Sequence, residues 1–206
     1  MACCTASEPV FHRRHRLLGM LGLVTFVTGC SEEPRTASGH DISVYPIYAA
    51  ALEELADSSW VETFVVAPYA GAPEEGDVVG RRMGLLSGPG VEVPENLASE
   101  FTDLNQERVP IEDSLEASIP VVMLEARIED ILRIDPNQGW QLILEQYPAS
   151  ALIRFSRPAV DTDGFRAFLY VELWCGPLNC AEGHQMLLRQ EASGWMVEQH
   201  EYLWTS

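Results

Sequence analysis

Residues Phe165 to Trp204 read FRAFLYVELWCGPLNCAEGHQMLLRQEASGWMVEQHEYLW. Apolar side chains recur every second position through FRAFLYVELW, HQMLLRQ and WMVEQHEYLW, the period of a strand. The preceding ALIRFSRP, from Ala151, has the same rhythm. The joints between these runs, AVDTDG, CGPLNCAEG and EASG, hold the turn-forming residues and are too short for a crossover helix. Strands so connected must pair antiparallel, so the spacing predicts a four-stranded antiparallel meander closing the chain.

Upstream the period changes. SVYPIYAAALEELADSS puts Pro46 in a first helical turn, with Ile47, Tyr48, Ala51, Leu52 and Leu55 along one stripe. Trp60 to Ala70 is β-branched and aromatic and reads as a strand. Gly71 to Pro94 is a long loop rich in Gly and Pro, holding at most a short strand around Met83 to Leu86. Helical spacing resumes through Leu97, Phe101 and Leu104. VVML after Pro120 suits a short buried strand, and EARIEDILRI and NQGWQLILEQYP suit helices, the second ended by Pro148. The fold class expected is α+β, with these helices packed on one face of the C-terminal sheet.

The first thirty residues divide into basic HRRHR, apolar LLGMLGLVTFVTG and then Cys30. That order is a secretory signal, and an apolar run spanning about 20 Å is short of a bilayer core of about 30 Å. VTGC, Val27 to Cys30, resembles the bacterial lipobox. The resemblance implies that residues 1–29 are a lipoprotein signal peptide and that Cys30 is acylated and becomes the mature N-terminus. Ser31 after it favours the outer membrane if the cell is Gram-negative. Residues 30–41, small and polar, read as a flexible tether, and 42–206 as a single α+β domain. The expected address is the cell envelope, with the bilayer held through the lipid on Cys30.

WCGPLNC, Trp174 to Cys180, looks like a thioredoxin dithiol with two residues inserted. Thioredoxin chemistry needs a resolving Cys within the next helical turn and further strands and helices beyond it. Here four residues separate Cys175 from Cys180, and the segment beyond Cys180 reads as two strands. Two Cys flanking a turn between antiparallel strands in an oxidising compartment form a disulfide instead. Gly139 to Ser206 resembles a group of uncharacterised bacterial secreted proteins and lipoproteins with a CGxLC-type turn. Ser156, Ala167, Cys175, Gly176, Leu178, Gly194, Trp195, Trp204 and Ser206 carry that resemblance, and Asn179 and Ala181 depart from it. It implies the fold and the address, and no activity.

The chain has 13 basic residues, all Arg, against 31 acidic ones, a formal charge of −18. Without the leader 10 bases face 30 acids, a charge of about −20. Such a field repels phosphate backbones, so nucleic acid is excluded as a partner, while a cationic or envelope protein partner stays open. Glu182, His184, His200 and Glu201 are the one nearby His/Glu combination in the C-terminal half. A hairpin turning about Ser193 would set His200 opposite Met186, with His184 diagonal to it on the same face. That makes His184 and His200 weak metal candidates, and surface histidines on a sheet account for them more simply. Glu125, Arg127, Glu129, Asp130 and Arg133 read as a solvated helix face with Glu129 and Arg133 paired. The five Trp could line a cleft but suit core packing better. No GxSxG, HExxH or phosphate-loop pattern occurs. The expectation is therefore a non-catalytic binding or envelope-interaction module without cofactor, with a hydrolase whose site is assembled from distant residues as the alternative.

Overall fold

The computed structural model describes residues 43–58, 61–71, 91–112, 115–148, 150–176 and 180–205. The leader, Cys30, the tether, Trp60 and the Met83 to Leu86 segment lie outside the described residues.

Helix α1, Tyr45–Ser58, carries Pro46 in its first turn, where the missing N–H costs nothing. Its predicted stripe of Ile47, Tyr48, Ala51, Leu52 and Leu55 is buried throughout. Strand β1, Thr63–Val66, is apolar on both faces, as a central strand must be. β2, Tyr69–Ala70, pairs antiparallel with β3, Val109–Pro110, in a separate two-stranded ribbon. Between them lies helix α2, Glu95–Leu104, burying Leu97 and Phe101. β4, Val121–Met123, leads into α3, Ala126–Ile134, and α4, Pro136–Gln146. Asp135 separates these two helices and caps the second, its Oδ1 accepting from the amides of Asn137 and Gln138 at 3.1 Å each. Gly139 is required where they meet, because a Cβ there would lie 2.4 Å from the Leu132 Cα.

The C-terminal strands are β5 Ser150–Phe155, β6 Ala159–Val160, β7 Arg166–Trp174, β8 Ala181–Glu191 and β9 Gly194–Thr205. The main sheet runs in the order β4-β1-β5-β7-β8-β9, with β6 also paired to β7. β7, β8 and β9 continue antiparallel from β5, whereas β1 is parallel to both β4 and β5.

The expected architecture is thus corrected in two respects. The fold is α+β, but the sheet has seven strands and is mixed rather than a four-stranded antiparallel one. Helices also cover both faces instead of one. α1 packs with Phe64, Ile153, Leu169, Val171, Met186 and Leu188 on one side. On the other, α3 and α4 bury Ile128, Leu132, Trp140 and Ile143 against Val65 and Leu152. Beside them α2 buries Leu97 and Phe101 against Phe168, Tyr170 and Leu187. The reason lies in β1 and β4. Each is joined to its parallel neighbour through helices, and a crossover helix must return over a sheet face.

Candidate functional site

Two polar clusters are built on this frame, one on each face of the sheet. The first starts from the β8–β9 hairpin. Gly194, at φ +126°, takes the turn conformation that a side chain would resist. The resulting register sets His200 opposite Met186 and His184 opposite Tyr202, with bulges between Gly183 and His184 and between Leu187 and Leu188. His184 Nδ1 and His200 Nε2 come to 3.0 Å, the diagonal approach expected from the sequence. Glu201 pairs with Gln185 instead and so belongs to the other face.

The structure adds Glu54, from α1, whose Oε1 lies 3.1 Å from His200 Nδ1. Glu182 Oε2 lies 3.4 Å from His184 Nε2. Four side chains from three elements thus form one line: Glu54, His200, His184, Glu182. Tyr202 closes over it, its ring 4.6 Å from His184 and stacked on His200 at 5.4 Å. The His184 side chain is 1% exposed and that of Glu182 38%. Burial, and secondarily the neighbouring His200, pull the His184 pKa down to about 4, so it is neutral at neutral pH. Among the described residues no three His, Cys, Asp or Glu side chains converge as a metal cluster.

The second cluster lies on the opposite face, where α2 and α3 approach the sheet. Arg154 on β5 stands directly across from Glu172 on β7. Arg154 Nη2 donates to Glu129 of α3 at 3.0 and 3.3 Å, and Arg108 approaches the same carboxylate at 3.6 Å. Glu172 is 1% exposed and accepts from the Tyr170 hydroxyl at 2.9 Å and from Trp174 Nε1 at 3.0 Å. Trp204 Nε1 donates to Tyr170 at 2.9 Å, reaching it across Gly183. A Cβ on Gly183 would fall 2.0 Å from that indole nitrogen, so only glycine lets the ring lie flat there.

The other residues singled out in the sequence are placed apart from these clusters or within the core. Cys175 and Cys180 form a disulfide, with Cα atoms 5.2 Å apart and the Cys175 amide donating to the Cys180 carbonyl at 2.8 Å. Glu129 is buried against Arg154 rather than solvated, whereas Glu125 and Arg127 stay on the surface at 3.9 Å. Trp140 and Trp195 are core residues, and Trp174 and Trp204 form an edge-to-face pair at 6.2 Å. Sequence reasoning does not reach Glu54, Tyr202, Arg154 or Glu172. The last two do leave a signal, being lone charges inside the apolar runs ALIRF and FLYVELW.

No helix among the described residues is long and apolar enough to cross a membrane. Comparison of the chain with protein-family models, curated proteins and solved structures returns no match in any of the three.

Proposed function

We propose that this chain is a lipid-anchored envelope protein, tethered through an acylated Cys30, whose folded domain binds an extended segment of a cationic envelope partner. The observation that supports this reading is the open edge of the sheet. β9 is 12 residues long and, among the described residues, pairs as a strand with β8 alone. An edge of that length offers backbone donors and acceptors to an added strand. Met196 and Tyr202 are 50% and 53% exposed on it, available as anchors. Glu198 and Glu201 lie on the same strand of a chain with a formal charge of −18, which selects a basic segment and disfavours a second copy of the protein.

Two experiments test the reading. Wild-type chain and a Glu201→Lys/Tyr202→Ser variant are immobilised and exposed to envelope extract in low and high salt. The expected result is a partner retained by wild type, released by salt, and absent from the variant. Equal retention by both proteins contradicts the edge as the binding surface. Separately, Cys30→Ala should move the protein from the membrane fraction to the soluble one or leave it unprocessed. Unchanged membrane retention contradicts the anchor.

A further inference from the structure

We infer that the segment taken up by β9 is short and alternates basic with apolar residues, pairing only with Gln199 to Tyr202. This rests on the edge-binding reading and specifies the sequence pattern of the partner.

The register of the β8–β9 hairpin limits the length. Leu188 pairs with Val197 and Leu187 with Gln199, so Glu198 is one residue too many for the ladder. Leu203 is a second, lying between Tyr202, opposite His184, and Trp204, opposite Gly183. Both extra residues belong to β9, and a bulged strand bends and twists more strongly at each of them. An added strand keeps regular pairing only between the two, over the four residues from Gln199 to Tyr202, a stretch of about 13 Å. The same bends keep an open edge of 12 residues from templating further copies of itself. Met196 lies before the first bulge, where it meets only the end of the segment.

The pleat of β9 sets the side chains. Gln199 and Glu201 pair with Leu187 and Gln185 and so lie, both exposed, on the face away from α1. His200 and Tyr202 pair with Met186 and His184 on the α1 face. Tyr202 is 53% exposed there, its ring stacked on that of His200 at 23° from parallel. The His200 side chain is only 13% exposed and its Nδ1 lies 3.1 Å from Glu54, so this face presents chiefly the tyrosine ring. A residue directly opposite Glu201 comes within about 4.5–5.5 Å of it at Cβ, where opposite charge stabilises and like charge destabilises. The residues beside it in sequence turn to the other face and cover Tyr202, which favours a β-branched or aromatic side chain. In strand addition the backbone hydrogen bonds give affinity, and the alternating side chains give specificity.

The test is a titration of the full-length protein in detergent at low salt with capped synthetic peptides, followed by calorimetry and backbone NMR. The probes are a hexapeptide of alternating Arg and Val, the same peptide with Ser in place of Val, and an Arg-Val peptide of twice the length. The Arg-Val hexapeptide should make cross-strand backbone contacts at Gln199 to Tyr202 and bind about 10-fold tighter than the Arg-Ser one. The longer peptide should gain no pairing beyond Glu198 or Leu203, and Glu201→Lys should weaken the Arg-Val hexapeptide about 10-fold. Equal affinity for the two hexapeptides, pairing that runs past either bulge, or no effect of Glu201→Lys overturns the inference while leaving the edge reading standing. Three results overturn both: no contact with β9 from any peptide, exchange protection of all four Gln199 to Tyr202 amides in the free protein, or β9 shifts that follow protein concentration alone, the sign of a second copy on the edge.

Discussion

Glu54 meets His200 across 146 residues of sequence, helping to join α1 to the β9 edge. Nothing local in either segment announces that pairing. It arises because α1 lies over the hairpin, and the hairpin register alone could be read from Gly194 and the alternation around it. His184 gives a pH prediction of definite sign. Its folded pKa of about 4 lies below the ordinary 6.5, because burial disfavours the charged ring. The unfolded chain therefore takes up a proton first as pH falls. Stability from this residue is whole above about pH 6.5, is lost between there and about pH 4, and changes no further below. The loss is on the order of 3 kcal/mol. Urea unfolding of wild type and His184→Gln at pH 7, 5.5 and 4 isolates it, since the carboxylates contribute to both. Wild type should lose more stability than the variant over that window; parallel losses would contradict the buried, neutral ring.

At the scale of elements, the helices and the C-terminal strands were legible because each carries a clean period. α1 shows its stripe in sequence, and β5, β7, β8 and β9 show alternation bounded by turn residues. β1 and β4, of four and three residues, are too short to display a period, and whether they run parallel is decided by the helices that return between them. The same dependence on distant elements hid the second cluster. Glu129 reads as one member of a charged helix face, and only the crossover that lays α3 on β5 turns it inward to Arg154. The Cys pair was legible, because four residues between the two Cys break the dithiol spacing of a redox helix and the flanking alternation suits a hairpin corner. Closing a loop of about six residues is worth about 2 kcal/mol in the chain-entropy model. Replacing Cys175 and Cys180 with Ser should therefore lower the urea midpoint by a corresponding amount while leaving far-ultraviolet circular dichroism intact. Loss of the folded signal altogether would mean that the corner organises β7 and β8 rather than trimming their entropy.

For the molecule as a whole, covering both faces with helices leaves the edges of the main sheet open to pairing among the described residues, and β9 is far longer than β4 at the other end. Charge then sets what can approach. With no Lys and an excess of carboxylates throughout, the surface attracts basic segments and repels its own copies. The most direct measurement is site-specific photo-crosslinking from the full-length protein in intact cells. The crosslinker is placed at Met196 or Tyr202 on β9 and, for comparison, at exposed Leu144 on α4. The account predicts a discrete adduct with a basic envelope polypeptide from the β9 positions and none from Leu144. Equal labelling from all three positions, or none from β9, would contradict it.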